Sequence, residues 1–172
     1  MKELKSLIRD IPDFPKPGIL FKDITPILSD GKAFTNLTAS FRDRYQSKNI
    51  DIVVGIEARG FIFGGSLAYA LGAGLVIIRK PGKLPYKTYS QTYSLEYGED
   101  AMEIHQDAIQ PNKNVLLLDD VLATGGTIVA ATELIRKNFQ ANIVEAAFVI
   151  ELDFLKGREK LKDIPVNSLV HY

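Results

Sequence analysis

The 172 residues balance 21 Lys and Arg against 21 Asp and Glu, and they include two histidines and no cysteine. A chain of this length suits one domain burying roughly 70% of its unfolded surface, and its 46% hydrophobic content can supply that core. The composition excludes disulfides, a thiol nucleophile, a thiolate or histidine-rich metal centre, and a global basic field that would draw the chain onto nucleic acid.

The opening MKELKSLIRDIPDF breaks its hydrophobic residues with charge, unlike a secretion signal, and no apolar run reaches membrane-spanning length. The expectation is a cytoplasmic chain with neither nucleic acid nor membrane as partner. Leu4, Leu7, Ile8 and Ile11 recur at helical spacing and predict a short amphipathic helix, stopped by Pro12. Pro15, Pro17, Gly18 and Pro26 forbid a long helix next, so Phe14, Ile19, Leu20, Phe21 and Ile24 predict a loop packed on the body. Ser29 or Asp30 can cap a following helix whose apolar face is Phe34, Leu37, Phe41 and Tyr45. From Ile50 the pattern turns to β-branched runs separated by helical stretches: a strand at 50–56, a helix at 60–71 and a strand at 75–79. Residues 80–98 are polar, aromatic and basic, and read as a long excursion or a mobile hairpin. A strand over 102–107, a buried strand from Val115, a helix at 127–138 and a last strong strand at 142–152 complete the chain. The fold class is therefore α/β, a single domain with a mainly parallel twisted sheet flanked by helices on both faces.

The most informative segment is VLLLDDVLATGGTIVAATELI, 115–135. Buried apolar residues end in Asp119 and Asp120, and the small-residue turn Ala123, Thr124, Gly125, Gly126, Thr127 opens directly into a helix. Such a turn sits at the carboxyl edge of a parallel strand, where open α/β sheets bind ligands. Its glycines admit close approach and the helix amides face an anion, so a phosphate monoester is the expected guest. Two carboxylates just before it can accept hydrogen bonds from vicinal hydroxyls, which points to a sugar phosphate. GxxxxGK[ST] is absent, and the Gly72-Ala-Gly74 run leads into a strand, so the P-loop and dinucleotide fingerprints both fail.

VLLLDDVLATGGT resembles the phosphoribosyl-diphosphate signature of type I phosphoribosyltransferases, and its LATGGT form resembles the adenine-specific branch. DFPKPGILFKDITPIL, GIEARGFIFG, VIIRKPGKLP, YSLEYG with MEIHQDAI, and LKGREKL agree with that branch in order along nearly the whole chain. The resemblance implies one phosphoribosyltransferase domain over 1–172, with an N-terminal helix and base-binding hood at 1–35 and a long, mobile catalytic loop at 80–100. It implies a reaction of adenine with phosphoribosyl diphosphate giving AMP and diphosphate in purine salvage, with Mg2+ held mainly by substrate and water. A homodimer is implied as well.

The resemblance also assigns residues. Ala123, Thr124, Gly125, Gly126 and Thr127 would hold the 5′-phosphate, and Asp119 and Asp120 would face the ribose hydroxyls. Arg59 would clamp diphosphate and act in catalysis, with an unusual peptide before it at Glu57-Ala58. Arg79, Lys80 and Lys83 would add diphosphate contacts, some of them reaching a neighbouring subunit. Glu96 would take the proton from the attacking base, flanked by Tyr93 and Tyr97. Phe21 would lie on the purine face or pack as core, and backbone groups of Leu20 and Lys22 would read the purine edge. Two alternatives stay open: a sister enzyme acting on hypoxanthine, guanine, xanthine or orotate, and a non-catalytic regulator that binds phosphoribosyl diphosphate. The segment before Ile50 contains no basic recognition helix of the kind a DNA-binding regulator would need.

Overall fold

The computed structural model describes residues 2–95 and 98–172. The chain begins with α1 (Lys2–Leu7) and the short strand β1 (Arg9–Ile11), which pairs antiparallel with β2 (Phe21–Asp23). The expected first helix therefore ends before Ile11, because pairing with β2 draws Arg9 to Ile11 into extended form. Then follow α2 (Thr25–Ser29) and α3 (Gly31–Tyr45). Asp30 is the residue that caps α3, accepting from the Lys32 and Ala33 amides at 2.9 and 3.0 Å.

The central sheet is built from β3 (Ile52–Ile56), β4 (Gly74–Ile78), β7 (Asn114–Leu122), β8 (Asn142–Glu151) and β9 (Val166–His171). Its order is β4-β3-β7-β8-β9, and every pair is parallel. β9 is a strand the sequence pattern did not reveal, since VNSLVH is short and half polar and lies at a sheet edge. The helix α4 (Gly60–Leu71) connects β3 to β4, and α5 (Gly126–Asn138) connects β7 to β8.

Alternation along β7 divides the core in two. Leu116 and Leu118 face α1 to α4 with Leu37, Phe41, Phe63 and Leu67, whereas Val115 and Leu117 face α5 with Ala131, Leu134 and Ile135. Both sheet faces are thus covered, as parallel sheets require. The excursion at 80–98 is part of a hairpin, β5 (Thr88–Leu95) against β6 (Gly98–His105). It lies over α5: Met102 and Ile104 enter that core, and the Tyr89 ring meets Phe139 edge-on at 5.6 Å. The loop before α2 is less covered than its apolar content suggested. Ile24 and Ile27 are buried, but Phe14, Ile19 and Leu20 remain 42–50% exposed on the short two-stranded hood.

Candidate phosphate and ribose site

β7 is flanked on both sides, so Val115 to Leu118 are fully buried and the strand delivers Asp119 and Asp120 at a fixed depth. It continues two residues past them to Leu122, beyond the end expected from the carboxylate pair. The turn that follows passes through Gly125, whose φ of +82° suits glycine, and α5 starts at Gly126 with no side chain capping it. Its first amides are left for a ligand. Asp119, Val121, Leu122 and Ala123 to Thr127 line the depression in front of them. Asp119 therefore shares one wall with the turn, whereas Asp120 is not part of that lining.

Asp119 accepts a hydrogen bond from the Asp120 amide at 2.8 Å. Burial, then the neighbouring Asp120 charge, raises its pKa well above the usual carboxylate value. Asp120 is buried and paired with the Arg59 guanidinium. Arg59 follows β3 and stands at the start of α4, where the next residue, Gly60, packs on β7: a Cβ there would lie 2.8 Å from the Leu118 carbonyl oxygen. The Glu57–Ala58 peptide just before it is cis. The Arg59 guanidinium carbon lies 5.3 Å from the Phe21 ring centre, and Phe14 meets Phe21 edge-on at 5.1 Å. Phe21 is half-buried and belongs to neither core. The hood is thus joined to the carboxylate pair through Phe21, Arg59 and Asp120.

Leu20 is half exposed beside Phe21. The Lys22 ammonium is committed elsewhere, to Asp10 at 2.6 Å and over the Tyr172 ring at 3.9 Å. Of the basic residues Arg79, Lys80 and Lys83, the first two are held in ion pairs. Arg79 donates to both Glu57 oxygens at 3.3 Å and to the Lys83 carbonyl at 3.1 Å, and the Lys80 ammonium pairs with Asp100 at 2.9 Å. Burial opposes ionisation of Glu57, but the Lys80 amide and Arg79 outweigh it and lower its pKa. The sequence reading missed this role of Glu57, although its place within GIEARG offered the signal.

On the hairpin, Tyr93 donates to Asp100 at 3.3 Å and meets the Thr127 side chain, so β5 touches the start of α5. Glu96 and Tyr97 lie outside the described residues. Gly157, within LKGREKL, also reaches the turn, and Arg158 beside it bonds Glu151, contacts that spacing alone could not reveal.

These features define a class. The family model "Phosphoribosyl transferase domain" matches residues 25–169. Over 172 residues, all of both chains, the sequence is 58% identical to the adenine phosphoribosyltransferase of Geobacter metallireducens. The structure superposes on that of the adenine phosphoribosyltransferase of Thermoanaerobacter pseudethanolicus with a TM-score of 0.96 at 47% identity, covering 99% of each chain. For the Saccharomyces cerevisiae adenine phosphoribosyltransferase, complexed with D-2,5-dideoxy-2,5-imino-altritol 1,6-bisphosphate and adenine, the TM-score is 0.92 at 46% identity, over 98% of this chain and 97% of the other. Within the phosphoribosyl transferases, the chain belongs to the adenine phosphoribosyltransferase family.

Proposed function

We propose that the protein transfers the 5-phosphoribosyl group of phosphoribosyl diphosphate to N9 of adenine, releasing AMP and diphosphate in cytoplasmic purine salvage. The observation that carries this reading is the uncapped start of α5 beside Asp119 and Asp120, in a chain 58% identical to an adenine phosphoribosyltransferase along its whole length.

In the reaction, the bond from the ribose anomeric carbon to diphosphate breaks with its electron pair leaving on diphosphate, and N9 of adenine bonds to that carbon with inversion. Residues Ala123 to Thr127 hold the 5′-phosphate on backbone amides and the Thr124 and Thr127 hydroxyls. Asp119 and Asp120 accept from the ribose hydroxyls, and their charge favours the cationic ribose of the transition state more than the ground state. Arg59 exchanges Asp120 for diphosphate oxygens, matching them with its planar fork. Arg79 and Lys80 contribute further diphosphate contacts once Glu57 and Asp100 release them, and Lys83 adds its ammonium. Phe21 covers the purine, and backbone groups of Leu20 and Lys22 read its edge, consistent with a Lys22 side chain engaged elsewhere. The domain divides functionally into a hood at 1–35 and a mobile catalytic loop at 80–100, from which Glu96 accepts the N9 proton.

The residues present fit Mg2+ bound mainly through substrate. The donors beside the turn are the carboxylate oxygens of Asp119 and Asp120, the hard oxygen type that suits Mg2+. Bound with substrate, Mg2+ neutralises the departing diphosphate. We also assign a homodimer, supported by the exposed apolar side chains Ile62 and Tyr69 on α4 and Leu75 on the edge strand β4.

The decisive assay gives the protein Mg2+, phosphoribosyl diphosphate and equimolar adenine, hypoxanthine, guanine and orotate, and resolves the nucleotides over time. AMP alone is expected, and excess chelator should stop its formation. A different nucleotide would overturn the base assignment while keeping the phosphate site, and no product despite tight phosphoribosyl-diphosphate binding would identify a regulator.

A further inference from the structure

The proposed reaction leaves the connection between β8 and β9 without a role. It forms two 3-10 turns, Asp153–Leu155 and Gly157–Lys160, joined by Lys156 in left-handed conformation with φ 54°. This bend lays the Gly157 backbone against the phosphate turn. A Cβ built on Gly157 would fall well inside contact distance of the Ala123 carbonyl oxygen and 3.0 Å from the Gly125 nitrogen. In return, a Cβ on Gly125 would lie 2.6 Å from the Gly157 carbonyl oxygen. Every one of these neighbours is backbone, so no rotamer change can relieve the contact.

The next residue fixes the brace to the sheet. Arg158 donates through Nε and Nη2 to the two Glu151 oxygens at 2.9 and 2.5 Å, and through Nη1 to the Val166 carbonyl at 2.8 Å. Glu151 is buried at the end of β8 and also accepts from the Ser168 hydroxyl of β9 at 2.6 Å. One guanidinium thus ties the 3-10 turn to two adjacent strands with the geometry of a fork on a carboxylate.

We propose that Gly157 and Arg158 are positioning residues for the sugar 5′-phosphate: a backbone brace, clamped to β8 and β9, that holds Ala123 to Gly125 so that the α5 amides converge on the phosphate. The inference rests on the reading of that turn as the phosphate site. A glycine-rich turn has many conformations open to it, and holding one of them in advance removes part of the ordering cost of binding.

The test compares wild type, Gly157→Ala, Arg158→Lys and Gly126→Val by calorimetric titration with ribose 5-phosphate, by melting temperature, and by KM for each substrate. Gly157→Ala is expected to weaken ribose 5-phosphate binding and raise KM for phosphoribosyl diphosphate roughly 10-fold or more, because the added Cβ must push the Ala123–Gly125 backbone away and spoil the convergence of its amides. KM for adenine and kcat should hardly move, a split that general loss of structure would not produce. Arg158→Lys keeps the charge but not the fork, so it should shift the same constants in the same direction by less. A folded Gly157→Ala with wild-type phosphate affinity would overturn the brace, and should that variant fail to fold, unchanged affinity in Arg158→Lys would do so. Gly126→Val alters the turn itself; if ribose 5-phosphate binding survives it unchanged, the phosphate reading falls and the brace with it.

Discussion

Asp119 shows how a single side chain can be placed against its own stability. A carboxyl whose pKa rises on folding contributes stability that is fully present below its unfolded value, near 3.8, and lost as pH climbs through the folded value. Above the unfolded value the wild type therefore gives up stability that an uncharged side chain at this position would keep. Asp119→Asn should melt at a higher temperature than wild type at pH 7, with the difference closing as pH falls towards 4, while KM for phosphoribosyl diphosphate rises. Melting curves across that pH range check the sign, and an Asn variant less stable at pH 7 would contradict it. Glu96→Ala is expected to lower kcat about 100-fold or more with ribose 5-phosphate binding intact, in line with loss of a general base. Single-turnover kinetics with adenine separate that effect from product release. The Asp119–Asp120 pair stood out in the sequence only in combination, because carboxylates at a strand end followed at once by a glycine turn and a helix start have few structural uses together. The pairing of Arg59 with Asp120 was not legible there, since Arg59 stands at the start of α4 and Asp120 on β7, and no local pattern links them.

Among the elements, those with strong periodicity were read correctly from sequence: α4 at 60–71, α5 to within one residue, and β3, β7 and β8 as buried runs. Where short elements depend on a partner, the reading failed. β1 and β2 exist because they pair with each other, and β9 because β8 presents an open edge. The cap of α3 is local, and its contribution can be isolated: Asp30→Ala removes two acceptor contacts and should cost about 1 kcal/mol of stability without altering either KM. Chemical denaturation together with steady-state kinetics would check both halves of that statement. The hairpin of β5 and β6 combines the two situations. Its aromatic, polar sequence announced an excursion, but only packing of Tyr89 on Phe139 and of Tyr93 on Thr127 decided that it lies across α5 and meets the helix start.

For the whole molecule, the exposed face of α4 and β4 carries a prediction. Tyr69 is 91% exposed, and Ile62, one heptad earlier, shares its side of the helix. Tyr69→Glu with Ile62→Lys should convert the proposed dimer to monomer in analytical ultracentrifugation, and a wild type that sediments as a monomer would remove the dimer from the proposal. By itself the sequence determined the α/β class, the strand-turn-helix of β7 and α5, and the carboxylates beside that turn, because each is encoded within a few consecutive residues by burial pattern, glycine and helix start. The tertiary structure alone decided which distant groups meet there. It set Phe21 over Arg59, joined Arg59 to Asp120, occupied Arg79 with Glu57, and pressed Gly157 onto Ala123. Those contacts depend on sheet order and on where each crossover returns the chain, quantities that no spacing along the sequence contains.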